Sequence, residues 1–444
     1  MSENTLQKLN QEYLALAVAD PAAREQDFTR VVNYMKKSSA IHHGEYVRTC
    51  LMPKMFTGAQ FAQFAADIRL LYGIFAKITD AYFADAAYRA LFGFDARTEE
   101  LILRANRTPS LLPMARIDFF YNEETGAYKF CEFNTDGTSA MNEDRELHNA
   151  QRLSSSYRAF TAAHATRTCE LFDSWVDTLC AIYRRAGGAQ ATPYVAIVDY
   201  LECGTVNEFE VFKDHFLAKG VQAEICDVRA LRYENGVLTG PEGRRIDAIY
   251  RRAVTSDVLD HYDESRAMIA AAQDGAVLLV GDFHTQLVHN KTIFRVMQAP
   301  QTLAMLSGEE TAYVHAHVPY TAAFTIADVE RVKADKDAWI LKPLDSYASR
   351  GVYAGVEYSH KEWNRIVDAI PEEGYLLQEF YRPYVTNNYG LRDEVLGENQ
   401  YYNLTGIYTY DGVAQGVYSR VSLSPIISSQ YSEKTLPTLL VEED

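Results

Sequence analysis

The sequence lacks several features that mark common protein classes. No apolar run reaches the roughly 18 residues that a transmembrane helix needs. The N-terminal stretch MSENTLQKLNQEYLALAVAD has no basic segment before an apolar core, so no secretory signal is expected. The six cysteines are scattered without a C-x-x-C pair, which excludes a zinc or disulfide framework and favours reduced thiols. We therefore expect a cytoplasmic protein.

Positive charge and familiar nucleotide motifs are also scarce. Lysine and arginine number 43 against 60 acidic residues, which gives a formal net charge of -17. This balance argues against nucleic acid or a membrane surface as the main partner, although a local basic pocket could still hold an anion. The motifs G-x-x-x-x-G-K-[ST], G-x-G-x-x-G, G-x-S-x-G and H-E-x-x-H are absent. P-loop, dinucleotide-binding, α/β-hydrolase and zincin chemistry are therefore not indicated.

The 444 residues present are enough for two or three domains, and the pattern changes along the chain. Residues 1–105 show helical spacing of apolar residues, and 106–190 combine a hairpin with helices. Strands alternate with helices over 191–290, which predicts a parallel α/β sheet. Residues 291–444 are rich in strands with Gly and Asp turns. The fold class is therefore α/β combined with α+β, in several domains.

The stretch RIDFFYNEETGAYKFCEFNTDGTS predicts a hairpin with polar residues on one face. Because successive strand residues point to opposite faces, Arg116 and Asp118 share one side of the first strand. On the second strand, Phe130, Glu132 and Asn134 share a side. The opposite sides carry residues suited to a core, namely Ile117, Phe119, Cys131 and Phe133. Two carboxylates, an amide and a guanidinium can therefore converge.

Oxygen ligands from Asp118, Glu132 and Asn134 suit a hard cation such as Mg²⁺, and their small formal charge leaves room for phosphate oxygens and water. Two neighbouring carboxylates also repel each other unless a cation or a proton intervenes. The same pattern is equally compatible with a solvated hairpin face held by a pair between Arg116 and Asp118.

Two lysines suggest an anion site. Lys342 lies in the apolar strand AWILKPL, where its charge is costly unless it meets an anion, and the stretch SRGVYAG that follows offers loop amides for phosphates. Lys291, in HNKTIF, precedes a helix. Lys342 could instead be an ordinary lysine of an edge strand, and Lys291 could be an ordinary surface lysine.

Three weaker signals come from other strands. YLLQEFYRP contains the strand end Gln378, Glu379 and Phe380, whose backbone could read an adenine edge. Arg420, in GVYSRVS, could stabilise a developing oxyanion or form a surface salt bridge. Arg251, in IYRR, ends a parallel strand, where α/β sheets bind ligands, so it could hold a substrate carboxylate or an internal salt bridge.

Together these stretches resemble the glutathionylspermidine synthase family, a circularly permuted branch of the ATP-grasp carboxylate–amine ligases. The family's R-x-D strand, E-x-N strand and following loop correspond to RID, EFN and TDGTS. Its N-K pair and K-P strand with a glycine loop correspond to HNKTIF and LKPLDSYASRG. The resemblance runs from about Asn106 to the C-terminus and covers the synthetase domain, with no counterpart of the family's amidase domain.

The resemblance implies a glutathione synthetase-like ATP-grasp fold that is circularly permuted. Residues 106–190 would carry the metal-ligand hairpin, 191–290 would form a parallel pre-ATP-grasp (substrate) domain, and 291–444 would form the nucleotide-binding lobes. The implied site residues are Asp118, Glu132 and Asn134 for Mg²⁺; Lys291, Lys342, Ser349, Arg350, Gly351, Gln378, Glu379 and Phe380 for ATP; Thr138, Ser139 and Arg251 for substrate; and Arg116 and Arg420 for catalysis.

The implied reaction joins a carboxylate to an amine through an acyl phosphate, with release of ADP and phosphate. A small-molecule kinase and a non-catalytic ATP-binding protein are the alternatives. The loop NTDGTSAMNE lacks the proline of the family's peptide-recognition loop, so the acid, glutathione included, and the amine, spermidine included, stay open. The oligomeric state is also open, with a homodimer as the default expectation.

Overall fold

The first region of the chain is mostly helical, as the sequence predicts. The computed structural model describes residues 5–442 apart from 43, 105, 345–350, 372–373 and 428–432. The elements are α1 (Thr5–Val18), α2 (Pro21–Met35), β1 (Ile41–His42), β2 (Glu45–Tyr46), β3 (Lys54–Thr57), α3 (Gly58–Ala84), α4 (Ala86–Arg89) and α5 (Ala96–Leu103). A capping box starts the long helix α3, because Thr57 and Gln60 each accept a hydrogen bond from the other's backbone N–H.

The predicted hairpin is confirmed as an antiparallel pair of strands. The elements of this region are β4 (Met114–Tyr121), β5 (Tyr128–Asn134), α6 (Met141–Gln151), α7 (Ser155–Ala163), β6 (Thr166–Arg167) and α8 (Asp173–Arg185). Arg116 pairs with Asn134, and Asp118 pairs with Glu132. The register therefore brings the four polar residues together as the alternation predicted.

A bulge corrects one part of that prediction. The register shifts between Asp118 and Phe119, so that Phe119 faces Phe130 and Cys131 is left without a partner of its own. Phe130 consequently turns into the core, with its ring 5.1 Å from that of Phe133. The sequence placed Phe130 on the polar face and Cys131 in the core, and both assignments are wrong because a strict alternation ignores the extra residue.

The third region contains the predicted parallel sheet. Its elements are β7 (Val195–Asp199), α9 (Val206–Ala218), β8 (Ala223–Asp227), β9 (Arg232–Glu234), β10 (Val237–Thr239), β11 (Ala248–Arg251), α10 (Thr255–Asp260), α11 (Arg266–Gln273) and β12 (Leu278–Val280). The strand order is β12-β11-β7-β8, and all three pairings are parallel. The carboxyl ends of these strands point toward the loop that follows β5, because Gly137 lies directly against the backbone of Arg252.

Four helices lead into a small antiparallel sheet. The elements are α12 (Gln286–His289), α13 (Ile293–Met297), α14 (Pro300–Leu303), α15 (Gly308–His317), β13 (Thr321–Ala323), α16 (Val329–Ala334), β14 (Trp339–Pro343), β15 (Tyr353–Ala354), α17 (His360–Ala369) and β16 (Tyr375–Glu379). The sheet order is β13-β16-β14-β15. Trp363 of α17 is fully buried against this sheet, beside Leu341 and Leu377.

The last strands form a second antiparallel sheet that also takes in the early hairpin. They are β17 (Val385–Arg392), β18 (Val395–Tyr410), β19 (Val413–Ser422), β20 (Lys434–Leu436) and β21 (Thr438–Val441). The sheet order is β20-β19-β18-β4-β5, with β17 paired to β18. The polar face of the hairpin therefore lies beside Arg420 of β19, far from it in sequence.

The last described strand also pairs with two strands from earlier regions of the chain. Strand β21 pairs in parallel with β3 and antiparallel with β6. The first region is thus tied to the last by backbone hydrogen bonds. Within the described part of the chain, no helix combines the length and the apolar character needed to cross a membrane.

Candidate active site

The carboxylate of Asp118 is the centre of a buried polar cluster on the hairpin face. Only 1% of Asp118 is exposed. Arg116 donates to both of its oxygens, from Nε at 2.8 Å and from Nη2 at 3.0 Å. Asn134 Nδ2 and Arg420 Nη2 also donate to Oδ2, at 3.0 and 2.8 Å. The two arginines thus share one buried carboxylate, which supplies the charge compensation that burial demands.

Arg116 is held on every side by the fold. Besides Asp118, it donates from Nη1 to the backbone oxygen of Ser139 at 3.2 Å. Its guanidinium lies 4.6 Å from the ring centre of Tyr418. This combination of a bidentate ion pair, a backbone contact and a ring fixes the position of the guanidinium.

Glu132 lies opposite Asp118 but has a different partner. Its Oε1 is 3.5 Å from Nζ of Lys291. Burial would raise the pKa of Glu132, but Lys291, His289 and Arg420 hold that pKa below its usual value. Glu132 is therefore an ionised carboxylate in a positively charged environment.

Lys342 is the second lysine near Glu132. The residue is only 8% exposed, and its Nζ donates to the backbone oxygen of Cys131 at 3.3 Å. Burial lowers the pKa of Lys342, although Cys131 and Glu132 act in the opposite direction. A carbonyl oxygen compensates a buried ammonium poorly, so the site is suited to receive an anion.

Both lysines and Glu132 line a cleft of about 770 Å³, open solvent included. Its lining combines these charged groups with apolar side chains, here called the apolar wall. The apolar wall consists of Phe120, Pro319, Ile340, Val352, Leu404 and Ile426. The cleft therefore combines a surface for a flat apolar ring with cations for an anionic tail.

Gln378, Glu379 and Phe380 line the same cleft at the end of β16. The backbone N–H of Glu379 already donates to the oxygen of Tyr320 at 2.9 Å, and that of Phe380 donates to Ala338 at 2.8 Å. Gln378 donates from its side chain to Thr321 at 2.9 Å. The backbone N–H groups of Glu379 and Phe380 thus already have partners within the protein.

The glycine loop is described only at its end. Ser349 and Arg350 lie outside the described residues. Gly351 has a φ of +71°, and a Cβ at this position would lie 2.9 Å from the hydroxyl oxygen of Tyr375. Both facts favour glycine here.

The loop after β5 is built around its own anchors. Thr138 is buried, donates from Oγ1 to the oxygen of Asn134 at 2.7 Å and accepts from Arg252. Gly137, with φ +65°, leaves no room for a Cβ, which would lie 2.7 Å from the backbone oxygen of Arg252. The backbone oxygen of Ser139 is taken by Arg116, and its half-buried side chain lies at the edge of the arginine cluster.

Arg251 lies at the end of β11, as expected, and its guanidinium is engaged within the protein. Its side chain is 1% exposed and pairs with Asp136 at 2.5 Å. It also donates to the backbone oxygens of Gly281 and Ala253. These contacts support the alternative of an internal salt bridge, because every guanidinium nitrogen already has a partner.

Sequence reasoning missed a second acidic group beside the arginines. Glu143, in the first turn of α6, accepts from Tyr418 at 2.8 Å and from Thr435 at 3.2 Å. Burial raises its pKa to about 7, while the hydrogen bond from Tyr418 acts against that rise. Glu433 lies 3.4 Å from Arg420 on the same side. Only the position of Glu143 just after the TDGTS loop could have signalled it.

The side chains of Asp118, Glu132 and Asn134 fit a magnesium ion by their chemistry. All three offer oxygen donors, as Mg²⁺ requires. Asn134 turns its amide nitrogen to Asp118, and its amide oxygen accepts no hydrogen bond within the described residues. Glu132 lines the cleft, where its carboxylate pairs with Lys291.

Comparisons with known proteins identify the fold. No family model matches the sequence, and a search of curated proteins finds none that is similar. The glutathione synthetase-like effector from Globodera pallida, solved in apoform, superposes with a TM-score of 0.62 over 99% of this chain and 98% of that one, at 12% identity. D-cycloserine synthetase gives a TM-score of 0.28 over 56% of this chain and 92% of that one, also at 12% identity. The first of these superpositions shows that the chain shares the fold of the glutathione synthetase-like effector over almost its whole length.

Proposed function

We propose that the protein is an ATP-dependent ligase that joins a carboxylate to an amine. The observation that carries the proposal is the single cleft in which Lys291, Lys342 and Glu132 meet an apolar wall, next to the cluster of Arg116 and Asp118. The fold shared with a glutathione synthetase-like protein over almost the whole chain supports it. Its substrates would be two small molecules, one a carboxylate and the other an amine.

The arrangement of the chain favours a circularly permuted ATP-grasp enzyme of the glutathionylspermidine synthase type. The hairpin β4–β5 precedes the two lysines in sequence, and yet it pairs with β18 in the last sheet. The parallel sheet of β7, β8, β11 and β12 lies between them in the chain and would serve as the substrate domain. The motifs RID, EFN and LKP then occur in the order that such a permutation requires.

Asp118, Glu132 and Asn134 would hold Mg²⁺, which would neutralise charge on the nucleotide's phosphates. Lys342 and Lys291 would bind these phosphates in the cleft. The apolar wall would take the base.

The reaction would proceed in two steps. A carboxylate oxygen of the acid attacks the γ-phosphorus of ATP, the bond to the β–γ bridging oxygen breaks, and an acyl phosphate and ADP result. The amine nitrogen then attacks the acyl carbon, phosphate leaves, and the amine loses one proton. Arg116 and Arg420 would stabilise charge on the transferred phosphoryl group and on the oxygen of the acyl carbon.

A matrix of carboxylates against amines, incubated with MgATP and read by ADP release and product mass, tests the proposal. We expect ADP release that needs both an acid and an amine, together with an amide product. A stable phosphorylated acid without amide formation would instead identify a small-molecule kinase. Nucleotide binding without turnover across the whole panel would support a non-catalytic ATP-binding protein.

A further inference from the structure

The Oδ2 atom of Asp118 has a full set of donors within the protein. It accepts from Arg116, Arg420 and Asn134 within 3.0 Å, whereas Oδ1 accepts from Arg116 at 2.8 Å. A cation that binds Oδ2 must therefore replace at least one of its three donors, because a carboxylate oxygen offers only about two lone-pair positions.

The carboxylates around the hairpin face already have cationic partners. Asp118 pairs with both arginines, Glu132 pairs with Lys291, and Glu433 lies 3.4 Å from Arg420. Divalent metal alone would have to compete with these buried pairs. A nucleoside triphosphate offers the same cations new partners, since its phosphates bring several negative charges at once.

Arg420 makes fewer contacts with Asp118 than Arg116 does, so it can move away from that carboxylate more readily. Arg116 grips both oxygens of Asp118 and also contacts Ser139. Arg420 touches Asp118 through Nη2 alone, and its buried Nε has no hydrogen-bond partner among the described residues. Glu433, 3.4 Å from its Nη1, offers a second position for its charge.

We infer that Arg420 occupies the place of the metal on Asp118 until nucleotide arrives. The inference rests on the proposed role of Asp118 as a metal ligand. Metal would enter only together with the nucleotide, and Arg420 would transfer from Asp118 to the incoming phosphates, where it is needed for the reaction. The protein without nucleotide would thereby avoid a futile metal complex.

Titration of the nucleotide-free protein with Mn²⁺, followed by the electron paramagnetic resonance signal of the free ion, tests the inference. Wild type is expected to bind Mn²⁺ weakly. Arg420→Gln and Arg420→Met are each expected to bind it about 10-fold or more tightly, the scale on which groups around a metal site act. Two replacements of different shape guard against a folding defect in one, and thermal unfolding confirms the fold of each.

Two controls locate the effect. Arg382→Gln removes an exposed charge next to the cleft without a contact to Asp118 and should leave Mn²⁺ affinity unchanged. The double variant Arg420→Gln with Asp118→Asn should lose the gain. Unchanged affinity in both folded Arg420 variants, or a gain that survives Asp118→Asn, would overturn the inference. Failure of wild type to bind MgATP in a separate titration would instead overturn the proposed function.

Discussion

Lys342 gives the sharpest separation between a binding role and a structural one. We consider Lys342→Met, which keeps the length of the side chain and removes the ammonium. Without nucleotide the ammonium is buried and donates to the backbone oxygen of Cys131 at 3.3 Å. Because burial already lowers the pKa of Lys342, the charge is poorly compensated. Its removal should therefore leave the free energy of unfolding unchanged or raise it.

The same change should be costly once nucleotide is present. A hydrogen bond to a charged group contributes about 1.5–3 kcal/mol, so the loss of one such bond to a phosphate should weaken binding by about 10- to 150-fold. Calorimetric titration with a non-hydrolysable ATP analogue and Mg²⁺ measures the affinity, and thermal unfolding without nucleotide measures the stability. Lys333→Met is the matched control, because Lys333 pairs with Asp368 in the same lobe and does not line the cleft.

The reasoning fails if Lys342→Met lowers the melting temperature of the nucleotide-free protein by several degrees and leaves nucleotide affinity as in wild type. That result would make Lys342 a structural lysine of β14. It would also remove the main cation from the cleft.

Three further predictions concern Arg116, the proposed metal ligands and the buried residue Asp144. Arg116→Lys should still bind MgATP but reduce kcat by about 100-fold, because an ammonium cannot replace a bidentate guanidinium in the transition state. Steady-state kinetics with a substrate pair measures this, and a near-normal kcat would show that Arg116 only forms a structural ion pair. Excess chelator should sharply weaken ATP binding in calorimetry if Asp118, Glu132 and Asn134 act through a metal, and equal affinity would refute the metal assignment. Burial raises the pKa of Asp144 to about 8. The folded protein therefore keeps a proton on this carboxyl group that the unfolded chain loses near pH 4. Between these pH values the free energy of unfolding should fall as pH rises, by up to about 1.4 kcal/mol per pH unit for this group. Asp144→Asn should flatten that slope in denaturant unfolding from pH 6.5 to 8, whereas equal slopes would contradict the assignment.

Local patterns in the sequence were sufficient for much of the fold. Alternation predicted the hairpin, and regular strand–helix spacing predicted the parallel sheet. The Asn235-Gly236 turn joins β9 to β10 with both residues at positive φ, as the dipeptide requires. These elements depend on neighbours in the chain, which is why a single sequence could specify them.

Features that depend on distant contacts were harder to predict. The bulge at Cys131 exchanged the faces of two residues that strict alternation had assigned. Arg251 lies at a strand end that suits ligands, but its pairing with Asp136 could not be known before the loop after β5 was placed. Arg420 and Asp118 are 302 positions apart in sequence. They come into contact only because the hairpin β4–β5 joins the sheet that contains β18 and β19.

Transfer of labelled oxygen from the acid substrate to phosphate tests the proposed ligase chemistry most directly. A carboxylate labelled with ¹⁸O in both oxygens would be supplied with MgATP and the amine of the first productive pair. Formation of an acyl phosphate requires that each inorganic phosphate released carries one labelled oxygen and that each amide retains the other. ADP formation with amide product but with unlabelled phosphate would contradict the account.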